Sequence, residues 1–268
     1  MRLSAVVLDL DGTLLQSNKQ ISDRNARAVS QCYSQGLKVI FATARPPRTV
    51  KQFLPDELLQ IGSFVYYNGA YIDCVHTGLK IHHPIPAPLT AVILDACLND
   101  NPDIEISVEV QDEWMSLKPI DAALRAGVKQ GPSVTSLEQL RMQAATKVLI
   151  SGPIHIDRSL GAYSSQLRIL ETDGGELIQI SSREASKELG VAAICGAYGI
   201  PLEEVAAFGD DFNDMGLFEN CGWPVAMGNA VPELKQMAKE ITETNEKDGV
   251  AIVLERLLKE ANHLAQNR

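Results

Sequence analysis

The sequence predicts an α/β fold in which a doubly wound parallel sheet is interrupted by an inserted α+β domain. Two observations indicate this fold. Short apolar runs alternate with helical patterns in residues 1–83 and again in residues 184–268, as expected when helices cover both faces of a parallel sheet. Residues 84–183 instead combine helical patterns with strands of alternating polarity, which is typical of an α+β unit.

The first part of the chain supplies the predicted elements in order. Ser22 is a typical N-cap for the first predicted helix, and Gly36 follows the end of that helix. Thr77 and Gly78 are turn-forming residues that predict a hairpin. The predicted elements are a strand over 3–9, a helix over 22–35, a strand over 38–43, a helix over 47–59, a strand over 64–67 and a hairpin over 71–83.

The inserted part begins with the three prolines of PIPAP (84–88), which predict a stiff linker. After Ser186 the first pattern returns, so residues 1–83 and 184–268 are expected to form one Rossmann-like core. The predicted elements are strands over 104–110, 113–117 and 147–151 in the insert, then a helix over 187–198, a strand over 205–210, a helix from about 211, a strand over 223–227 and helices over 232–238 and 248–261.

The amino-acid composition indicates which kinds of partner the protein could bind and in which cellular compartment it is expected. The 268 residues are 45% hydrophobic, which is enough for one large domain or for two smaller ones that each have a core, and the formal net charge is -10 with a pI of about 5.0. This acidic balance argues against nucleic acid as a partner. The five cysteines form no CxxC pair, which favours a reducing, cytoplasmic compartment. The sequence has no long apolar run, so we expect that the protein does not bind a membrane. The lack of a long heptad pattern favours a monomer or a weak homo-oligomer.

Two aspartates follow the first apolar strand in the stretch VVLDLDGTLL. Asp9 and Asp11 are two residues apart, so on a strand they would point to the same side. Both are expected at the carboxyl end of a parallel strand, where ligands of such sheets bind, and Gly12 allows a sharp turn. Paired carboxylates at this position suit Mg²⁺, and they could also divide the roles of nucleophile and acid. From this stretch alone, a plain turn and a metal site without chemistry stay open. An EF-hand loop is disfavoured because its twelfth position would be Gln20 instead of Glu.

A second acidic group follows another predicted strand in GDDFND (209–214). Asp210, Asn213 and Asp214 would lie at a strand end and at the start of a helix, where acidic residues also serve as ordinary caps. If both acidic stretches lie at the same sheet edge, their carboxylates would repel one another unless a cation lies among them. The pair of stretches therefore predicts a cation site.

Two further residues could bind an anion at this edge. Thr43 ends a predicted strand, and its hydroxyl and the amide of Ala44 could donate hydrogen bonds to a phosphate. Lys187 begins the helix after the insert and could supply a positive charge beside the carboxylates. Taken singly, a threonine at a strand end and a lysine at a helix start are ordinary structural residues.

In this order, DLDGT, Thr43, Lys187 and GDDFND resemble the four motifs of the haloacid dehalogenase-like superfamily of phosphohydrolases. The resemblance is closest to the Cof-type members of subclass IIB, and it covers nearly all of residues 1–83 and 184–268. It implies that the insert over 84–183 is a cap domain that selects the substrate. The stretches that are similar to Cof-type members are ATARP (42–46), NGA (68–70), MGNAVPELKQMA (227–238) and DGVA (248–251).

The resemblance implies a Mg²⁺-dependent phosphatase that hydrolyses phosphate monoesters of small metabolites through an aspartyl-phosphate. The expected substrate is a sugar phosphate or a phosphorylated cofactor. Asp9 would be the nucleophile, and Asp11 would act first as acid and then as base. The implied metal ligands are the Asp9 carboxylate, the Asp11 carbonyl and the Asp210 carboxylate, with Asp214 in or near the shell of bound waters. The implied phosphate-binding groups are the Leu10 and Ala44 amides, Thr43, Lys187 and Asn213.

Two other functions stay open at this stage. A phosphomutase would use the same aspartyl-phosphate, and a phosphate- or metal-binding protein would lack turnover. Arg45 and Arg48 are candidates for the substrate entrance because cations attract anionic esters. The candidates for the inner face of the cap are His82, His83, Glu109, Trp114 and Lys118.

Overall fold

The computed structural model describes residues 3–120, 131–155, 160–172 and 177–266, and the chain divides into two compact units. The first unit contains Met1–Arg45, Val50–Lys80 and Ser186–Arg268. The second unit contains Pro46–Thr49 and Ile81–Ala185.

The elements are numbered along the chain. The strands are β1 (Ala5–Leu8), β2 (Lys38–Ala42), β3 (Gly62–Tyr66), β4 (Tyr71–Cys74), β5 (Leu79–His82), β6 (Glu105–Val110), β7 (Glu113–Ser116), β8 (Ser133–Val134), β9 (Lys147–Ser151), β10 (Leu167–Thr172), β11 (Leu177–Ser182), β12 (Val205–Gly209), β13 (Trp223–Ala226) and β14 (Glu240–Ile241). The α-helices are α1 (Asp23–Ser34), α2 (Pro47–Phe53), α3 (Asp56–Ile61), α4 (Ala87–Asp100), α5 (Leu137–Arg141), α6 (Lys187–Tyr198), α7 (Met215–Asn220), α8 (Pro232–Met237) and α9 (Gly249–Gln266).

The first unit is built on an eight-stranded sheet in the order β14-β13-β12-β1-β2-β3-β4-β5. The strands from β14 to β3 run parallel, and β4 is antiparallel to β3. All four residues of β1 are buried, as expected for an apolar strand between two parallel neighbours. Because β12 and β2 flank β1, the residues that follow these three strands meet at one edge of the sheet.

The second unit contains a six-stranded sheet in the order β10-β11-β9-β6-β7-β8. Its pairs are antiparallel except for β7 and β8. Alternate residues such as Ile106, Val148 and Ile180 point into an apolar core that also contains residues of α4 and α5. The polar residues that alternate with them include Ser107 and Glu109, which are also buried. The predicted fold class, a parallel core sheet with an inserted α+β domain, is confirmed.

The structure corrects two predicted elements. The helix predicted over 47–59 is two helices, α2 and α3, separated at Leu54 and Pro55. Pro55 has no N–H to donate and disfavours the helical conformation of the residue before it. The stiff linker predicted over 84–88 is too long, because α4 begins at Ala87 and takes Pro88 into its first turn, where proline is well tolerated.

Other predictions agree with the structure more closely. Helix α6 and strand β9 have the predicted bounds, and Ser22 caps α1 by accepting a hydrogen bond from the amide of Asn25. All five cysteines are buried and free. Within the ranges that the structure describes, no helix is both long enough and apolar enough to cross a membrane.

Candidate active site

Three carboxylates converge at the edge where β1 and β12 end. Asp9 directly follows β1, Asp210 directly follows β12, and Asp214 lies in the short turn before α7. One oxygen from each of these side chains lies within 4.8 Å of the other two, so the group could hold a metal ion. Asp9 and Asp214 are buried and Asp210 is half-buried. The parallel topology therefore brings together carboxylates that are about two hundred residues apart in sequence.

Lys187 connects two of these carboxylates. It is the first residue of α6, its side chain is fully buried, and Nζ lies 2.6 Å from Oδ1 of Asp9 and 2.7 Å from Oδ1 of Asp214. Burial acts to lower the pKa of Lys187, but the charges of Asp214 and Asp9 outweigh it, and the pKa lies above its ordinary value. Lys187 is therefore a fixed positive charge inside the acidic group.

One lysine does not neutralise three carboxylates. Burial raises the pKa of Asp9 well above its ordinary value, although Lys187 opposes the rise, and burial raises the pKa of Asp210 to about 6. Both shifts have the same cause, which is that charge is costly in this poorly solvated place. A divalent cation would supply the missing positive charge, and carboxylate oxygens are the ligands that hard cations prefer. The residues present therefore fit a divalent metal ion.

Asp11 does not join this group. Strand β1 ends at Leu8, so the strand alternation that would direct Asp9 and Asp11 to the same side does not extend to them. Asp11 Oδ1 accepts hydrogen bonds from Nζ of Lys19 and Nη2 of Arg45, both at 2.8 Å, and Arg45 Nε donates to Oδ2. Burial acts to raise the pKa of Asp11, but Arg45 and Lys19 outweigh it and the pKa lies below its ordinary value.

The turn after Asp11 contacts Asp210 directly. Gly12 has φ of 78°, and a Cβ atom at this position would lie 2.1 Å from Oδ2 of Asp210. Glycine is therefore required here both by the left-handed conformation and by the close approach. Thr13 Oγ1 donates a hydrogen bond of 2.8 Å to Oδ1 of Asp210. The two residues together hold one side of the metal-binding group.

Asp214 supports the turn after β12. Its Oδ2 accepts hydrogen bonds from the backbone amides of Asp210 at 3.1 Å and Asp211 at 3.3 Å, while Oδ1 faces Lys187. The same carboxylate thus fixes the backbone of Asp210 and the ammonium of Lys187. This arrangement accounts for its complete burial, because each oxygen has a donor.

The candidate phosphate-binding residues lie on the same edge. Thr43 follows β2, is buried, and accepts a hydrogen bond of 3.1 Å from the amide of Arg45 through Oγ1. Nδ2 of Asn213 donates to Oδ1 of Asn68 at 3.1 Å, and Asn68 has φ of 52°. Leu10 is buried between the two aspartates of its stretch, and Ala44 is half-buried after Thr43.

The candidates in the second unit have ordinary structural partners. Arg48 Nη2 lies 2.8 Å from Oε2 of the buried Glu109, and its guanidinium lies over the Trp114 ring at 5.3 Å. Nε2 of His82 lies 2.8 Å from Oγ1 of Thr146. Nδ1 of His83 lies 3.8 Å from Oε2 of Glu184, and Nζ of the exposed Lys118 lies 3.8 Å from Oδ1 of Asp103.

Sequence reasoning did not identify Lys19, Thr13 and Asn68 as parts of the site. Thr13 directly follows the DLDG stretch, so its position next to Gly12 was a usable signal. Asn68 precedes a glycine just after a strand, which is typical of a residue in the left-handed conformation. Lys19 had no comparable signal, because a lysine in a polar stretch is usually solvated.

Comparisons with known proteins agree with this geometry. A family model described as haloacid dehalogenase-like hydrolase matches residues 6–254. The chain is 28% identical over 266 residues to the 5-amino-6-(5-phospho-D-ribitylamino)uracil phosphatase YitU of Bacillus subtilis, covering 95% of this chain and 96% of that protein. It is also 28% identical to the phosphatase YwpJ of the same organism, covering 96% of this chain and 100% of that protein.

A solved structure shows the same fold. The crystal structure of a haloacid dehalogenase-like hydrolase from Bacteroides thetaiotaomicron superposes with a TM-score of 0.84 at 26% identity, covering 96% of this chain and 100% of that one. The family match spans most of the chain and includes both segments that carry the site. The chain therefore belongs to the haloacid dehalogenase-like hydrolases, and it is a phosphatase of this family that hydrolyses phosphomonoesters.

Proposed function

We propose that the protein is a Mg²⁺-dependent phosphatase that acts through an aspartyl-phosphate on Asp9. The observation that carries this proposal is the buried contact of Lys187 with both Asp9 and Asp214, next to Asp210. Burying an ionised carboxylate costs free energy, and a purely structural role would recover little of that cost. A nucleophile that must approach an anionic ester needs the nearby positive charge.

Mg²⁺ fits the oxygen ligands of Asp9 and Asp210, with the Asp11 carbonyl and Asp214 as further candidate contacts. When bound, the ion would offset the negative charge shared by the ester and the carboxylates. Thr43, Asn213, Lys187 and the amides of Leu10 and Ala44 are the groups that we propose to bind the phosphoryl oxygens.

The proposed reaction has two steps. A carboxylate oxygen of Asp9 attacks phosphorus, the bond from phosphorus to the ester oxygen breaks, and Asp11 donates a proton to the departing alcohol. A water molecule then attacks the aspartyl-phosphate, Asp11 accepts a proton from it, and the bond between Asp9 and phosphorus breaks to release inorganic phosphate. Because Arg45 and Lys19 favour the ionised form of Asp11, its side chain must exchange these partners before it can act as an acid.

We propose as substrate a phosphate ester on a hydroxylated chain, either a sugar phosphate or a phosphorylated cofactor precursor. Three relatives at 26% to 28% identity are named as phosphatases of 5-amino-6-(5-phospho-D-ribitylamino)uracil, whose phosphate is on a ribityl chain. The second unit, as the proposed cap, would select the leaving group. Ser107, Glu109 and Lys147 are buried polar residues of its sheet, and a ligand rich in hydroxyls would have to compete with their present partners, which are Trp114, Arg48 and Gln179.

The decisive experiment measures inorganic phosphate released from a panel of sugar phosphates, nucleotides, pyridoxal phosphate, the ribitylaminouracil phosphate and p-nitrophenyl phosphate. Each ester is tested with Mg²⁺ and with EDTA. We expect Mg²⁺-dependent release, with the highest kcat/KM for one hydroxylated ester. Consumption of a sugar phosphate to an isomer without phosphate release would instead indicate a phosphomutase. Release that is unaffected by EDTA would contradict the metal assignment.

Replacement of Asp11 should separate the two chemical steps. We expect Asp11→Asn to reduce steady-state turnover of a sugar phosphate by about 10²- to 10⁴-fold, because the leaving alcohol and the attacking water lose their acid and base. A p-nitrophenyl ester needs little help in departure, so phosphorylated protein should accumulate in the variant and be visible by mass spectrometry after an acid quench. Equal rates of the variant and the wild type on the sugar phosphate would exclude this role.

Mg²⁺ binding should depend on pH through Asp210. With its pKa raised to about 6, Asp210 carries a proton in the metal-free protein below that pH, and the proton must leave before the ion binds. We therefore expect the Tm increase caused by Mg²⁺ to become larger as the pH is raised from about 5 to about 7. In EDTA the pH dependence has the opposite sign. The free energy of unfolding of the metal-free protein should fall as the pH rises from about 3.9, the ordinary pKa of Asp, to about 6, because the raised pKa of Asp210 makes its ionisation less favourable in the folded state.

Calorimetric melting curves across this pH range would measure both effects. Asp210→Asn is the control, and in that variant the part of the pH dependence that is due to Asp210 should be lost, while a part due to Asp9, whose pKa is also raised, remains. A Tm increase that stays constant across the range would contradict the involvement of Asp210.

A further inference from the structure

The loop of residues 227–231, which joins β13 to α8, contacts both strand ends that carry the metal-binding aspartates. On the β12 side, the amide of Met227 donates to the Gly209 carbonyl at 3.1 Å, and the amide of Val231 donates to the Asp210 carbonyl at 2.9 Å. On the β1 side, Nδ2 of Asn229 donates to the Gly12 carbonyl at 2.8 Å. The loop therefore links the turn after Asp9 to the backbone of Asp210.

The orientation of the Asn229 amide is determined by a second contact. Its Oδ1 accepts a hydrogen bond of 3.1 Å from the backbone amide of Asn245, and Nδ2 of the buried Asn245 donates to the Leu15 carbonyl at 2.9 Å. Because both ends of the Asn229 amide are used, exchanging its oxygen and nitrogen would lose both bonds. Asn229 and Asn245 thus hold two carbonyls of one turn, those of Gly12 and Leu15.

The Gly12 carbonyl is a sensitive place to hold this turn. Gly12 lies against Oδ2 of Asp210, and the next residue, Thr13, donates to Oδ1 of the same carboxylate. Rotation of the peptide between Gly12 and Thr13 would move both contacts at once. A hydrogen bond to the carbonyl of that peptide opposes the rotation.

We propose that Asn229 is a positioning residue that sets metal affinity by holding the Gly12–Thr13 peptide against Asp210. The inference deepens the proposed function, since it rests on Asp210 being a metal ligand. Asn229 itself is exposed and is not proposed to touch the metal or the substrate. Its effect is transmitted through Gly12 and Thr13, so its loss should weaken metal binding more than it weakens folding.

The test is a comparison of Asn229→Ala with a matched control. Asn101 is suitable because its Nδ2 also donates to a backbone carbonyl, that of Pro153 at 3.1 Å, and its Oδ1 also accepts from a backbone amide, that of Asp103 at 3.0 Å. Asn101 lies in the second unit, far along the chain from the strand ends described above. Mg²⁺ affinity is measured directly by calorimetric titration in the absence of ester, and again as the Mg²⁺ concentration for half-maximal phosphate release.

We expect Asn229→Ala to weaken Mg²⁺ binding by about tenfold, as is typical when a residue that orients a metal ligand is removed. The KM for the ester at saturating Mg²⁺ and the Tm in EDTA should stay close to those of Asn101→Ala. Asn229→Leu, which keeps a side chain branched at Cγ without the amide, should show the same loss. It serves as the second variant if the alanine protein is poorly folded.

Two outcomes would overturn the inference. One is a Mg²⁺ affinity of both Asn229 variants equal to that of the wild type and Asn101→Ala. The other is a loss of Mg²⁺ affinity in the Asn229 variants that is accompanied by a drop in Tm, when Asn101→Ala with an equal drop in Tm loses as much affinity. Because the calorimetric titration needs no substrate, it can be read even if the wild type releases no phosphate. A failure of the proposed function is therefore distinguishable from a failure of this inference.

Discussion

Asp9→Asn is expected to abolish phosphate release while leaving the protein folded. An amide cannot serve as the nucleophile, so we expect kcat/KM to fall by at least about 10⁴-fold, as in other enzymes that lose the attacking group. No phosphorylated protein should form, even from p-nitrophenyl phosphate. Because burial raises the pKa of Asp9 and Lys187 keeps Asp214 as its other partner, we expect Asp9→Asn to lower the free energy of unfolding less than Lys187→Met does.

The control for this variant is Asp103→Asn, which makes the same chemical change at an almost fully exposed carboxylate of the second unit. It should keep wild-type kcat/KM and Tm. Phosphate release by Asp9→Asn at an undiminished rate would show that Asp9 is not the nucleophile. A loss of activity together with a collapse of Tm would indicate instead that Asp9 is mainly structural.

Lys187→Met is expected to damage both stability and activity. Methionine fills a similar volume without charge, so the carboxylates of Asp9 and Asp214 would remain buried without their shared ammonium. Breaking a buried ion pair in this way typically lowers the free energy of unfolding by about 3–5 kcal/mol. Loss of one such electrostatic group also typically lowers kcat by about 10²- to 10³-fold.

A double variant tests the cause of the instability. If unpaired charge is responsible, adding Asp9→Asn to Lys187→Met removes one of the two carboxylates and should restore part of the lost stability in EDTA, with a clear coupling energy. Lys80→Met is the matched control, because Lys80 is exposed and lies 3.6 Å from Asp73, and it should change stability by less than about 1 kcal/mol. Strictly additive effects of the two replacements would contradict the charge explanation.

Several parts of the site could be predicted from local sequence. An apolar run that ends in Asp9 indicates a buried strand with an acidic residue at its carboxyl end, and the run before Asp210 indicates the same. The helix predicted over 187–198 is confirmed, and in the structure Ser186 is its N-cap and accepts a hydrogen bond from the amide of Leu189. These signals are local because caps and periodicity involve residues only a few positions apart.

The prediction for Asp11 shows where local reasoning stops. A strand continued past Leu8 would place Asp9 and Asp11 on the same side, yet the chain turns at this point and Asp11 pairs with Arg45 and Lys19 instead. Arg45 was a candidate for the substrate entrance, and nothing in its neighbourhood in the sequence indicates that it binds Asp11. Which charges pair depends on how the turn and the loop after β2 approach each other.

The sequence by itself determined the alternation of strands and helices, the insertion, and the strand ends at which the acidic residues lie. These features follow from hydrophobic periodicity, helix caps and turn residues, all of which act over short stretches of chain. Only the tertiary structure decided which side chains are partners: Lys187 binds Asp9 across 178 positions, and Asn229 binds Gly12 across 217. The reason is physical, since a buried charge or amide is satisfied by whichever group packing brings within hydrogen-bond distance, and distance along the chain does not encode that choice.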